Sequence, residues 1–169
     1  WDSAPAEGTV IPNFTAVDQY GDLVELYDLA GQGVPVVLDV GTWFCEPCKG
    51  LAAYLSDGDV SHMDPFLWWQ PKYEVVRDMV NAGEIRWVTV LYSLGSYVGP
   101  EEVALWHEEF PNDNVVVLAD SELQLQEYLS VSAMPRIDVL DENMVFVVYA
   151  PGGPAAGMQY LSALGDDDE

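Results

Sequence analysis

Apolar and polar positions follow two different periods along this chain. Three short runs are almost wholly apolar and rich in β-branched residues, the pattern of strands buried on both faces of a sheet. Between and after these runs, apolar positions recur at helical spacing. The predicted strands span residues 34–40, 85–94 and 114–120, and the predicted helices span 47–55, 66–83, 99–110 and 121–131. Ser121 is expected to be the N-cap of the last of these helices.

Both ends of the chain carry hairpin patterns. Residues 14–26 form two alternating runs around Gly21 and Asp22, and residues 136–150 form two more around a turn at 141–143. A loop or single helical turn is expected between the first hairpin and the first buried strand, and a last helix after the second hairpin. Strands that alternate with helices pair in parallel, whereas the closing hairpin adds antiparallel strands. The pattern therefore predicts an α/β fold with a mixed sheet flanked by helices.

The length of the chain favours one domain. With 169 residues, half of them hydrophobic, it can bury a substantial core. We expect the domain to span residues 10–165, after a flexible lead-in of residues 1–9 and before an acidic tail of residues 166–169. No apolar run approaches the ~20 residues of a transmembrane helix. Because the chain opens at Trp1 without Met or a basic segment, we expect that an export or tethering segment is missing from it.

Charge narrows the range of partners. Five Lys and Arg residues face 29 Asp and Glu residues, which gives a net charge of −24. Such a surface repels phosphate groups, which argues against binding to nucleic acid or to an anionic membrane surface. The acidic surface suits solubility in a salty or extracellular setting, and attraction of cationic partners is the alternative interpretation.

Both cysteines of the chain lie in the segment GTWFCEPCKG, directly after the first buried strand. Pro47 suits the first turn of the helix that follows. Amides at a helix N-terminus stabilise a thiolate, so Cys45 at the cap is the expected attacking sulfur and Cys48 the more buried one. A zinc site would need two further ligands, and a structural disulfide in so short a loop removes little unfolded-state entropy. A CxxC beside a βαβ pattern favours redox exchange over both.

This segment resembles the active site of the thioredoxin superfamily, and most closely that of the TlpA/ResA-like extracytoplasmic thiol-disulfide oxidoreductases. The stretch VIPNFTAVDQYGDLVELYDLAGQGVPVVLDV is similar to the N-terminal hairpin, loop and first core strand of that branch. The stretch SAMPRIDVLDENMVFVV resembles its cis-proline segment and the hairpin that follows. The resemblance covers residues 10–163 and implies a thioredoxin-like fold with an N-terminal β-hairpin and an inserted strand-helix element.

The resemblance implies a role for each matching residue. Cys45 is expected to be the nucleophile and Cys48 the resolving thiol. Pro135, in cis and preceded by Met134, is expected to hold its neighbouring backbone against the disulfide so that a substrate segment can pair with it. Asp39 occupies the place of a buried carboxylate that helps to deprotonate the second cysteine, and burial would raise its pKa toward neutrality. The alternative for Asp39 is a strand residue satisfied by backbone donors.

The implied activity is thiol-disulfide exchange on protein substrates. It needs no cofactor, and its electrons are expected from an upstream dithiol reductant. The resemblance also implies a location outside the cytoplasm, in the periplasm or secreted.

Two positions beside the cysteines depart from the pattern of the branch. Phe44 stands directly before Cys45, where the branch commonly has Trp, and Trp43 comes one residue earlier. Glu46 lies between the cysteines, and only Lys49 opposes its charge. Because an acidic surround disfavours the Cys45 thiolate, we expect a reductant or a balanced exchanger rather than a strong oxidase.

Residues 56–69 fit the branch least. Their alternating acids resemble the start of a calcium loop, although His62 and Trp68 stand where that loop needs Gly and Glu. The aromatic cluster of Phe66, Trp68 and Trp69 is expected to belong to the core or to a lid, with a hydrophobic docking surface as the alternative.

Three other functions stay open on the same fold. A peroxiredoxin would carry Pro and Thr before its reactive Cys, and here only Thr42 is present. A copper metallochaperone would need a distant His, for which His107 is poorly placed. The third alternative is a binding module with an idle disulfide. The CxxC spacing favours dithiol exchange over all three.

Overall fold

The β-branched runs form the centre of one seven-stranded sheet in the computed structural model, which describes residues 4–166. The strands are β1 (Thr15–Asp18), β2 (Leu23–Glu25), β3 (Val36–Gly41), β4 (Arg86–Tyr92), β5 (Val115–Asp120), β6 (Arg136–Leu140) and β7 (Phe146–Val148). Their order in the sheet is β2-β1-β5-β4-β3-β6-β7. The central strands β3, β4 and β5 pair in parallel, whereas β6 is antiparallel to β3 and β1 is antiparallel to β5. The predicted mixed sheet and α/β fold class are confirmed.

Helices cover both faces of the sheet. They are α1 (Glu46–Asp57), α2 (Val75–Ala82), α3 (Pro100–Glu109), α4 (Gln124–Tyr128) and α5 (Ala155–Asp166), with short 3-10 turns at Leu26–Leu29, Val60–Met63 and Pro71–Glu74. Apolar residues of α1, α2, α3 and α5 share one buried cluster, and α4 joins a second cluster with the N-terminal segment. Within residues 4–166 no helix is long and apolar enough to cross a membrane.

The alternation of β3 decides which of its residues can approach the cysteines. Val37 belongs to the same buried cluster as Cys48, whereas Leu38 belongs to the cluster on the opposite face. Because successive side chains of a strand point to opposite faces, Asp39 and Gly41 share the face of Val37. The first buried strand therefore directs one carboxylate and one glycine toward helix α1.

The predicted helix over 66–83 is wrong in its first half. Residues before Gln70 form turns, a 3-10 turn begins at Pro71, and α2 begins only at Val75. Pro71 lacks the amide hydrogen that a helix would need, and it holds Gln70 in an extended conformation with φ −135° and ψ 144°. The end of the helix is as predicted, because Gly83 adopts the left-handed conformation that terminates it.

The predicted N-cap at Ser121 is also wrong. Helix α4 begins at Gln124, and the carboxylate of Asp120 accepts the backbone amides of Leu125 and Gln126 at 3.2 and 2.7 Å. Asp120 therefore satisfies the free amides that a capping serine would have satisfied.

Hydrogen bonds to the sheet begin inside the predicted lead-in. Gly8 donates to the carbonyl of Phe146 at 2.8 Å, and the carbonyl of Thr9 accepts the amide of Phe146 at 2.9 Å. At the other end, α5 extends to Asp166, the first residue of the predicted acidic tail. Residues 1–3 and 167–169 of these two predicted segments lie outside the described residues.

Candidate active site

The two cysteines form a disulfide at the start of α1. Cys45 is the N-cap of the helix, and its Sγ accepts the backbone amide of Cys48 at 3.2 Å. The Cα atoms of the pair are 5.2 Å apart. Cys45 is half-buried, whereas Cys48 is 2 % exposed. Pro47 lies in the first turn, where its missing amide hydrogen leaves no helical bond unmade. The helix start therefore presents one sulfur to solvent and shields the other.

The loop that carries Cys45 is tied to the end of β4. The amide of Cys45 donates to the carbonyl of Thr42 at 3.1 Å, and the Thr42 hydroxyl donates to the carbonyl of Tyr92 at 3.3 Å. Phe44 projects into solvent beside Cys45 with 67 % of its surface exposed. Trp43 turns inward instead, and its ring packs edge-on against Trp106 of α3 at a centroid distance of 5.7 Å.

Two charges of opposite sign occupy the first turn of α1. The Glu46 side chain is exposed, and the ammonium of Lys49 lies 5.9 Å from the ring centroid of Trp43. At that distance the ring face attracts the cation. No ion pair within residues 4–166 includes either side chain.

Gly41, which the sequence analysis did not single out, touches the buried cysteine. A methyl group on Gly41 would lie 3.0 Å from Sγ and 3.2 Å from Cβ of Cys48. At these distances any larger side chain at position 41 would crowd the sulfur. The end of a buried strand two residues before an aromatic-Cys segment is the sequence signal that could have found it.

The Asp39 carboxylate is buried on the same face of β3 as Gly41. Its Oδ2 accepts the Thr89 hydroxyl at 3.1 Å and the Trp87 indole N–H at 3.3 Å, and within residues 4–166 its Oδ1 has no partner. Burial raises the pKa of Asp39 to about 7, against the opposing effect of the two hydrogen bonds. Its donors are side chains rather than the backbone groups of the alternative interpretation. Neither donor was predicted, although Thr89 is the register partner of Asp39 in β4.

The Met134–Pro135 segment leads into β6 beside the end of β3. Val40 pairs with Arg136, so Pro135 lies next to the strand end that leads to the cysteines. The Met134–Pro135 peptide bond is cis. Pro135 is buried, and Met134 packs partly buried against both apolar clusters.

A buried ion pair that the sequence analysis missed follows this segment. The Arg136 guanidinium donates to the Asp138 carboxylate at 2.6 and 3.1 Å, and both side chains are fully buried. Asp138 also accepts the amide of Ala150, and Arg136 lies 4.6 Å from the ring centroid of Tyr149. An Arg-x-Asp pair at alternate positions of an otherwise apolar strand is the signal for it.

The acids that resemble a calcium loop, the aromatic cluster after them, and His107 make contacts with nearby side chains and backbone groups. Asp57 accepts a hydrogen bond from His62 at 2.8 Å, and Asp59 caps the 3-10 turn by accepting the amide of Ser61. Trp69 packs edge-on between Tyr54, Trp68 and Tyr73. Among residues 4–166 no three His, Cys, Asp or Glu side chains are grouped so that they could hold a metal ion. His107 of α3 contacts the ring of Tyr20 at a centroid distance of 5.6 Å.

Fold and site together define a thioredoxin-like α/β domain with a CxxC disulfide at the start of the helix that follows a central strand. No protein-family model matches the chain, and no curated protein matches it. Solved structures, however, match the chain over most of its length.

Three of these structures show what the chain is similar to. A thioredoxin-like protein from Bacteroides caccae superposes with a TM-score of 0.67 at 13 % identity, over 96 % of this chain and 50 % of that one. The thioredoxin domain of a thiol-disulfide oxidoreductase from Bacteroides vulgatus gives 0.60 at 20 % identity, over 95 % and 99 %. A protein from Chlorobium tepidum assigned as the thiol:disulfide interchange protein DsbE gives 0.62 at 20 % identity, over 96 % and 97 %. At these identities the likeness establishes the thioredoxin-like fold.

Proposed function

We propose that this protein carries out thiol-disulfide exchange on protein partners through Cys45 and Cys48. The observation that carries the proposal is the pairing of an accessible sulfur with a shielded one at the N-terminus of α1. Thiol-disulfide oxidoreductases need this asymmetry because one sulfur must attack the substrate disulfide, whereas the other must remain available to resolve the mixed disulfide. Solved structures of the same fold that are named as thiol-disulfide oxidoreductases support it.

The exchange begins with the Cys45 thiolate of the reduced protein. It attacks one sulfur of a substrate disulfide, the substrate S–S bond breaks, and the departing sulfur takes a proton. The Cys48 thiolate then attacks Sγ of Cys45 in the mixed disulfide and releases the second substrate sulfur, which is also protonated. Two electrons and two protons pass to the substrate, and the Cys45–Cys48 disulfide remains. An upstream dithiol protein returns the electrons by the same chemistry in reverse.

Neighbouring groups support each step. The amide of Cys48 points at Sγ of Cys45, 3.2 Å away, and stabilises the thiolate that attacks. Asp39, with a pKa near 7 and on the face of β3 that meets α1, is the base that takes the proton of Cys48. The backbone of Met134 and Pro135, beside the end of β3, is where a substrate segment pairs in an extended conformation.

The direction of exchange follows from the charge around Cys45. Glu46 and the net charge of −24 oppose the thiolate, and Lys49, in the same turn of α1, offsets them only in part. A less stable thiolate makes the disulfide less oxidising, so the protein acts as a reductant or a balanced exchanger. Its acidic surface suits work outside the cytoplasm. We expect a reduction potential below about −200 mV, and a value near the −120 mV of a strong oxidase would contradict this direction.

The two charged residues of the first turn test this argument directly. In the Cys48→Ser background, Glu46→Gln should speed alkylation of Cys45 at neutral pH about twofold, because exposed charges contribute a few tenths of a kcal/mol. Lys49→Gln should slow it by a similar factor. Both effects should shrink in ~1 M salt, where the Debye length is about 3 Å. Equal rates for all three proteins at low salt would show that these charges do not influence the sulfur.

Reduction of insulin disulfides tests the proposal as a whole. The intact protein with a chemical dithiol should accelerate insulin reduction, and Cys45→Ser should abolish the acceleration. Cys48→Ser should retain the first step and accumulate a covalent complex with the substrate, because the resolving thiol is absent. Equal activity of the wild type and Cys45→Ser would overturn the proposal, and peroxide consumption that needs only Cys45 would favour a peroxidase instead.

A further inference from the structure

A groove opens along α1 beside the disulfide. Its volume is about 430 Å³, within the range of ligand-binding clefts, and its lining includes Glu46, Lys49, His62, Phe66, Glu109 and Phe110. We name it the α1 groove. It is formed by α1, the turn after α1 and the C-terminal end of α3.

The α1 groove is continuous with the loop that carries Cys45. Glu46 follows Cys45 directly, in the first turn of α1. On the other side, Trp43 packs against Trp106 at 5.7 Å between centroids, and Trp106 packs against Phe110 at 5.0 Å. A polypeptide whose sulfur reaches Cys45 therefore places neighbouring side chains at the mouth of the groove.

The walls of the groove are aromatic and closely fitted. Phe66 and Phe110 are half-buried, and the Phe66 ring lies so close to Gly50 that a methyl group there would meet it at 2.5 Å. Because Gly50 has no side chain, the Phe66 ring can pack directly against α1 and form part of the groove wall. Aromatic faces of this kind attract the alkyl stem and the charged head of Lys or Arg.

Two exposed acidic side chains line the groove, one from α1 and one from α3. Glu46 and Glu109 are exposed, and no ion pair within residues 4–166 includes them. Of the basic groups in the lining, His62 is bonded to Asp57 at 2.8 Å, and Lys49 lies over the Trp43 ring, where its single charge offsets only part of that of the two acids. The groove thus combines aromatic walls with two carboxylates free to meet a cation.

We propose that the α1 groove binds an arginine or lysine side chain of the polypeptide whose disulfide or thiol reacts with Cys45. The proposal rests on the proposed function for the reacting sulfur, but the binding itself does not require redox chemistry. The stem of the cationic side chain lies along Phe66 and Phe110, and its head meets Glu109 or Glu46. The net charge of −24 draws such a partner in from a distance.

Binding is measured first without redox chemistry. The Cys45→Ser/Cys48→Ser protein is titrated with a cysteine-free Gly/Ser peptide that carries two Arg residues, and with the same peptide carrying two Gln residues. The Arg peptide should bind at least fivefold more tightly at about 0.05 M salt. Adding Glu46→Gln/Glu109→Gln should lower the affinity for the Arg peptide about fivefold, as expected for the loss of two exposed charges. The affinity for the Gln peptide should not change.

A matched control separates the groove from general attraction. Glu84 and Glu142 are exposed and lie near the end of the central strands opposite to the disulfide loop, where Val36 pairs with Arg86 and Leu140. Glu84→Gln/Glu142→Gln removes the same charge and should change binding of the Arg peptide less than twofold. Equal weakening by both pairs of changes, or equal affinity for both peptides, would overturn the proposal.

Turnover then tests the groove in the active protein. Two disulfide peptides are compared that differ only in Arg or Gln beside the cysteine. Glu109→Gln should lower kcat/KM for the Arg peptide about threefold and leave that for the Gln peptide unchanged. Loss of activity toward both peptides in Cys45→Ser tests the redox function, whereas loss of Arg preference in Glu109→Gln tests the groove. A preference for Arg that survives Glu109→Gln and Glu46→Gln together would contradict it.

Discussion

At the scale of single residues, the site depends on two positions of β3 that face α1. Asp39 is a carboxylate held where water does not reach, and its two side-chain donors offset only part of the cost of its charge. Gly41 has no side chain, and the Cys48 sulfur occupies the space that a side chain would take. Both properties follow from one strand whose alternation places them on the same face.

Asp39 should make the protein less stable as pH rises. The unfolded chain releases the Asp39 proton near the ordinary pKa of 3.8, whereas burial lets the folded protein hold it until about 7. The folded state therefore binds more protons between these values, so the stability that Asp39 contributes is fully present below pH ~4 and is lost as pH rises toward 7. At about 1.4 kcal/mol per pKa unit, this group accounts for a loss of up to about 4 kcal/mol.

Asp39→Asn should remove that part of the pH dependence. Urea unfolding of the oxidised protein at about pH 5 and pH 8.5 should show a smaller loss of stability for Asp39→Asn than for the wild type. Asp64→Asn, at an exposed acid, should behave like the wild type. The same pH dependence in Asp39→Asn and in the wild type would show that Asp39 is not the group responsible.

Gly41→Ala should destabilise the oxidised protein by about 1–3 kcal/mol, the usual cost of overpacking a core. The added methyl group would lie 3.0 Å from a sulfur that the disulfide holds in place. The reduced protein should lose less, because its Cys48 sulfur can turn away. Gly152→Ala is the matched control, since nothing lies within 4 Å of the added group, and it should change stability by less than about 0.5 kcal/mol. Equal effects of the two changes in urea unfolding would contradict the role of Gly41.

At the scale of elements, the site forms where three neighbouring segments meet. Strand β3 ends at the disulfide loop, α1 begins there, and β6 begins beside it with Pro135. The sequence predicted each of these segments because each has a local signal: a β-branched run, a proline in the first helical turn, and a hairpin pattern. It did not predict the contacts between segments, such as Gly41 with Cys48 and Asp39 with Thr89. Those depend on strand order and register, which local periodicity does not specify.

The Arg136–Asp138 pair should hold the start of β6 in place. Both charges are fully buried, so removing one leaves the other without an opposite charge away from water. Arg136→Met should therefore destabilise the protein by about 3–5 kcal/mol in urea unfolding. The double change Arg136→Met/Asp138→Leu should recover more than half of that loss, because it removes the stranded charge. A double variant as unstable as the single one would show that packing, rather than charge, is what the pair provides.

At the scale of the whole molecule, the unusual property is an excess of acid over base. The five basic residues cannot neutralise 29 acidic ones, and one of them, Arg136, is already paired in the core. The acids therefore repel one another across the surface, and folding brings them closer together than the unfolded chain does. The negative electrostatic potential that attracts cationic partners therefore also destabilises the folded state.

Salt should stabilise this protein by screening that repulsion. Raising NaCl from about 0.01 M to about 0.3 M shortens the Debye length from about 30 Å to well under 10 Å, so repulsion between separated acids nearly vanishes while contacts in the core are unaffected. We expect a gain on the order of 1 kcal/mol, which corresponds to a rise in Tm of roughly 2–4 °C for a domain of this size.

The same salt should weaken binding of an Arg peptide in the α1 groove, because that attraction is screened as well. A Tm that stays constant or falls would show that surface repulsion does not limit stability. Stability and partner binding should thus respond to salt in opposite directions.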